Sequence, residues 1–132
     1  MLTVDTSALV ALANRREPHH ARVRDALLSD RGPYIVPAGI LAEVAYMLSA
    51  RAGNVALTAF LADLDEGAYT LDCGEHDMPR IAELVARYAD LPLGFADAAV
   101  VACAERSGGR VLSLDRRDLD VVARGTDLDV VP

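Results

Sequence analysis

Apolar and polar positions along the chain alternate between two periods. Short apolar runs with β-branched residues read as strands: Leu2-Thr3-Val4, Tyr34-Ile35-Val36, Tyr69-Thr70-Leu71 and Arg110 to Leu114, with Asp129 to Pro132 as a possible last edge strand. Between them lie stretches of helical period: Ser7 to Asn14, Pro18 to about Ser29, Ala38 to Ala52, Val55 to Leu64, a long helix ending near Ala89, and Phe95 to Ser107. Gly53-Asn54 separates two of these helices, and Arg116 to Leu119 reads as a short helical turn. Strands that alternate with helices predict right-handed βαβ units and a mainly parallel sheet. No repeat, low-complexity tract or linker interrupts the pattern, so residues 1–132 are expected to form one α/β domain.

Four carboxylates stand out against this pattern: two end strands, one starts a buried helix and one sits on an apolar helix face. The first strand ends on Asp5, and Thr6 and Ser7 then offer cap chemistry to the helix behind. The strand Arg110 to Leu114 ends the same way, on Asp115. An acid after a strand of an open α/β sheet sits at the carboxyl edge, where ligands bind. Glu43 flanks the apolar stripe of Ile40, Leu41, Val44, Met47 and Leu48. It either pairs with an arginine such as Arg51, reaches water, or serves a site. Asp97 shares a face with Val101 and Ala104 in a run of small residues that should pack close to the sheet, which aims it at the same edge. Asp72, Glu75 and Asp77 crowd the start of the long helix and read as dipole caps. His19, His20, Arg22 and Arg24 form a polar helix face, either solvated or a basic rim for RNA phosphates.

Composition narrows the chemistry. Apolar residues make up 52% and charged residues 25% of the 132, a globular balance. No apolar run approaches the ~18 residues of a membrane span, and the start lacks a signal-peptide order, so a cytoplasmic protein without membrane contact is expected. Cys73 and Cys103 stand alone and read as two buried thiols, with no zinc spacing around them. The formal charge is −7, and all 13 bases are arginine. The absence of lysine excludes P-loop and phosphoreceiver chemistry. A haloacid-dehalogenase-type phosphatase also needs a lysine, and it needs a second Asp where Ser7 stands. A dinucleotide-binding fold fails for want of a glycine-rich turn after the first strand.

Converging carboxylates must be relieved by protons or by metal. Oxygen donors without imidazole or thiolate suit Mg²⁺ or Mn²⁺, and such a cation with open positions is the apparatus of phosphodiester hydrolysis. Here the chain resembles a known family. Val4-Asp5-Thr6-Ser7-Ala8, Ala42-Glu43-Val44, Leu93-Gly94-Phe95-Ala96-Asp97-Ala98 and Ser113-Leu114-Asp115-Arg116-Arg117-Asp118 are similar to the signature blocks of PIN domains, and above all of VapC-type ribonuclease toxins. The likeness runs from Leu2 to Val131, and four blocks in this order and spacing are specific.

The resemblance implies a three-layer α/β/α fold and an Mg²⁺- or Mn²⁺-dependent endoribonuclease, the toxin of a toxin–antitoxin pair. It assigns Asp5, Glu43, Asp97 and Asp115 as catalytic acids, with Asp5, Asp97 and Asp115 on the metal. Thr6, Ser7 and Ser113 become hydroxyl supports, Ser113 standing where the family often has Thr. Asp118 competes with Asp115 for the place of fourth acid, and one or two metals both remain open. The expected partners are a small antitoxin, RNA and a second copy of the chain. The rival reading is a silent PIN-like module that binds RNA or protein without cutting; the intact acidic set argues against it.

Overall fold

A computed structural model describes all residues 1–132. Five strands form one sheet: β1 (Leu2–Val4), β2 (Tyr34–Pro37), β3 (Thr70–Asp72), β4 (Arg110–Leu112) and β5 (Asp129–Val131), in the order β3-β2-β1-β4-β5. Every pairing is parallel. The sheet is therefore wholly rather than mainly parallel, and the tentative edge strand β5 is real. Leu2 and Val4 of β1 and Val111 and Leu112 of β4 have no exposed surface, as expected of strands covered on both faces.

Six helices complete the layers: α1 (Thr6–Ala13), α2 (His20–Ser29), α3 (Leu41–Asp65), α4 (Met78–Arg87), α5 (Phe95–Arg106) and α6 (Arg116–Arg124). A 3₁₀ turn, Ala38–Ile40, leads into α3. The helix α2 begins two residues after Pro18, and the supposed short turn at Arg116 is the nine-residue α6. The break at Gly53 falls where the glycine predicted it. At φ +84° and ψ 173° that residue kinks α3 into two helical segments, in a conformation that costs glycine little.

α1 packs against α3 and α2, and α4 against α5, which lies on β1 and β4. The run Ala98–Ala104 of α5 is buried throughout. Its small side chains allow near contact: a Cβ on Gly39 would stand 2.9 Å from Ala99 Cβ. This close approach seats the start of α5 over the carboxyl end of β2 and carries Asp97 with it.

Three expectations need correction. Asp72 and Asp77 make no capping hydrogen bond to α4, although Asp77 is its N-cap residue. Arg106 of α5 takes them instead, with Nε to Asp77 Oδ1 at 2.6 Å and Nη2 to Asp72 Oδ1 at 3.0 Å. The two thiols are not alike, because Cys103 is buried and Cys73 is exposed. Finally, the stretch Ala38–Asp65 is, by length and composition, long and apolar enough to cross a membrane. It carries Glu43, Arg51, Asp63 and Asp65, kinks at Gly53, and buries Val44, Leu48 and Phe60 within the core.

Candidate active site

β1 and β4 are neighbours, with Val4 opposite Leu112, so the residues just beyond them emerge side by side. The Asp5 amide donates to Leu112 O at 3.0 Å, and Ser113 N donates to Val131 O at 2.8 Å. Those bonds fix the backbone on which Asp5 and Ser113 stand. Ser113 Oγ then donates to Asp5 Oδ2 at 2.6 Å, and Ser7 Oγ reaches the same oxygen at 3.1 Å. The two hydroxyls lie 3.1 Å apart, and Ser7 Oγ also accepts from the Leu114 amide at 2.9 Å. Asp115 N donates to Ser113 Oγ at 3.0 Å, which ties the second strand-end acid to the same network. Both serine hydroxyls therefore bond one oxygen of the Asp5 carboxylate. None of these bonds reaches Asp5 Oδ1.

The four acids that stand out in the sequence line one cleft of about 200 Å³. Thr6 and Ser7 share its wall, along with Val10, Ala11 and Leu114. Asp118 lies beside it: one carboxylate oxygen each from Asp97, Asp115 and Asp118 lie within 4.8 Å of one another. Asp115 and Asp118 stand together because α6 is a full helix whose first turn returns Asp118 to the strand end. Asp5 stands outside that trio, held among the serines.

The electrostatics record crowded, partly desolvated carboxylates. Asp97 is pushed up to about 7, first by desolvation and then by Asp5, Asp115, Glu43 and Asp118. Burial, then Asp5, also raises Glu43. Asp115 rises by burial and by Asp118, against a lowering pull from Arg117. The Thr6 hydroxyl lies close enough to Glu43 to temper its rise, yet it is buried and closes no hydrogen bond. An orphaned hydroxyl amid oxygen donors with raised affinity for positive charge fits a hard divalent cation. Neither imidazole nor thiolate is in the wall, and the carboxylates that dominate it favour a hard cation.

Three cleft residues were missed: Glu17, Met47 and Arg51. Glu17 sits in the loop before α2, where periodicity carries no signal, and its carboxylate accepts from His19 N at 2.6 Å. Met47 and Arg51 follow Glu43 at successive intervals of four residues, a spacing that could have found them. Arg51 forms no ion pair with Glu43, which removes the simplest structural role for that acid. The supposed basic rim lies elsewhere: His20 Nδ1 meets Ala11 O at 2.8 Å, Arg24 pairs with Asp25, and none of His19, His20, Arg22 and Arg24 enters the cleft.

The family model described as PIN domain matches residues 2–125. The chain belongs to the PIN-domain family. A curated relative, ribonuclease VapC26 of Mycobacterium tuberculosis, is 38% identical over 118 residues, which are 88% of this chain and 87% of the relative. Among solved structures, the PIN domain is similar to VapC20 of Mycobacterium tuberculosis, described as a sarcin-ricin loop cleaving toxin, with a TM-score of 0.83 and 23% identity over the whole of both chains. FitAcB from Neisseria gonorrhoeae follows at a TM-score of 0.66 and 17% identity, covering all of this chain and 97% of that one. These two structural likenesses bear on the fold, and they agree with the parallel sheet and flanking helices of this PIN domain.

Proposed function

We propose that this protein is a metal-dependent endoribonuclease, the toxin of a toxin–antitoxin pair, acting through one unit that spans residues 1–132. The observation that carries the reading is the convergence of Asp5, Glu43, Asp97 and Asp115 on one cleft, in a chain 38% identical to a ribonuclease. Asp97, Asp115 and Asp118 are the residues that would hold Mg²⁺ or Mn²⁺, together with Asp5, which lines the same cleft. The bound cation supplies Lewis acidity: it lowers the pKa of water and steadies charge on phosphoryl oxygens.

The chain's own residues do the rest. Ser7 and Ser113 hold Asp5 Oδ2 and so fix the orientation of the free oxygen. Asp97 retains its proton up to about pH 7 and has to release it to become a ligand, so metal affinity rises with pH through that range. Glu43, on the exposed α3 wall and with a raised pKa, is placed to take a proton from water entering the cleft. The buried face of α5 keeps Asp97 from turning away.

An acidic cleft of this kind also matches a guanidinium in charge and geometry, which suits an antitoxin that inserts an arginine. The apolar groove of Leu9, Leu12, Ala56, Ala59 and Phe60, between α1 and α3, suits the partner's amphipathic tail. Exposed Tyr46, Val55 and Leu61 on α3 leave apolar surface for a second copy of the chain. Digestion of RNA by the wild type and by Asp5→Asn tests the activity. Strand scission by the wild type alone is expected; equal scission by both would remove Asp5 from the chemistry, and none by either would remove the nuclease reading.

A further inference from the structure

A cleft walled by carboxylates repels the polyanion it is meant to cut. Association with RNA needs cations, because neutralised phosphates supply most of the affinity of such contacts. Five of the chain's arginines are already committed: Arg24, Arg80, Arg106, Arg110 and Arg116 each pair with carboxylates. Arg51 and Arg117 are exposed, and neither is engaged in an ion pair or hydrogen bond.

These two arginines bracket the acids. Glu43 feels Asp5 and Asp115 but not Asp118, whereas Asp115 feels Asp118 before Asp5. The row of acids passes from Glu43 on the α3 wall of the cleft to the trio of Asp97, Asp115 and Asp118 gathered at the first turn of α6. Arg51 continues the α3 wall beyond Glu43 and Met47, eight residues or about 12 Å of helix further on. Arg117 stands at the other end, in the first turn of α6, close enough to pull on Asp115. Arg51 is not among the groups that perturb Glu43, so it is not spent on neutralising its own wall.

We propose that Arg51 and Arg117 are phosphate clamps at the two ends of the acidic row, holding one RNA strand across it. This deepens the ribonuclease reading and rests on it. A guanidinium gives each end a forked, bidentate grip on a phosphate. The strand's flanking phosphates are then held by cations while the phosphate between them lies over the acids. Both arginines position substrate; neither takes part in the proton transfers. Such clamps recognise backbone and not bases, so they contribute affinity and register without reading sequence.

The test measures binding of a short fluorescent single-stranded RNA by anisotropy across a salt series, in EDTA and on the Asp97→Asn background. That background prevents cleavage and removes one repelling charge. Arg51→Gln and Arg117→Gln should each reduce the slope of log affinity against log salt by about 0.7. Each should weaken binding roughly tenfold near physiological salt. Arg51→Lys should restore the slope but not the full affinity, because a point charge replaces a fork. Arg31→Gln, an exposed arginine before β2 at the opposite edge of the sheet, should change nothing. In the cleaving protein with Mg²⁺, the two glutamine variants should raise KM and leave kcat nearly unchanged, with unaltered melting. A wild type that cuts RNA beside glutamine variants with the same slope and KM overturns the clamps and leaves the nuclease reading intact. A wild type that neither cuts nor binds RNA overturns both.

Discussion

Replacing Asp97 by Asn should make the metal-free protein more stable and leave it inactive. The shape of the side chain hardly changes, so the packing of Val100, Val101 and Ala104 behind it is retained. The charge is what disappears. In the folded protein Asp97 is raised from 3.8 to about 7, by burial first and neighbouring acids second. Three units correspond to about 4 kcal/mol at ~1.4 kcal/mol each, which is a ceiling. The cleft is open to water and salt, and screening reduces the gain to about 1–2 kcal/mol. A domain of this size melts roughly 3–4 °C higher for each kcal/mol, so a rise of about 3–8 °C is expected. The sign fixes the pH window. A carboxyl whose folded pKa lies above its unfolded value favours the fold below pH 3.8 and loses that contribution as pH climbs through 7. The advantage of Asn should therefore be full at pH 8, smaller at pH 5, and least at pH 4. Added Mg²⁺ should raise the wild type more than the variant, since only the intact site binds it well. Melts of both proteins at three pH values, with EDTA or Mg²⁺, measure all of this. A variant that melts no higher than the wild type at pH 8, or whose gain is the same at pH 5, refutes the argument from crowded charge.

Other changes test the supports of the site. Ser113→Ala removes a fully buried hydroxyl from Asp5 Oδ2 and should cost about 1–2 kcal/mol in a urea titration, with cleavage down about tenfold or more. Gly39→Ala sets a methyl group 2.9 Å from Ala99 Cβ and 3.3 Å from the Phe95 ring; pushing α5 away should cost about 1–3 kcal/mol and move Asp97 enough to lower activity. Arg106→Ala leaves Asp77, almost buried, without its partner and should cost about 1–2 kcal/mol in chemical denaturation, while cleavage at saturating Mg²⁺ stays unchanged.

How much of this was legible in the residues depends on how local each signal is. Asp5 and Asp115 announced themselves because each ends an apolar run within its own strand. Asp97 did so because the small residues after it can only belong to a helix pressed on the sheet. The kink of α3 was visible in Gly53 itself. The bonds from Arg106 to Asp72 and Asp77 were not, because they span 34 and 29 residues and the same acids suit a helix start locally. Arg51 was weighed only as a partner for Glu43, since helical spacing gives a face but not what lies across from it. The place of Asp118 beside Asp97 and Asp115 depends on α6, which runs for nine residues where the sequence suggests only a short turn. The length of α6 rests on Leu119 and Val122, which are buried against distant elements and carry that information only once the sheet is assembled.

The central claim is that these carboxylates cut RNA by way of a divalent cation. Its most direct measurement is the cleavage rate of protein stripped with EDTA, followed as Mg²⁺ is returned in steps. The account predicts no scission in the stripped protein and a rate that rises and saturates with Mg²⁺, with Mn²⁺ able to replace it. Scission that persists undiminished in EDTA would contradict it.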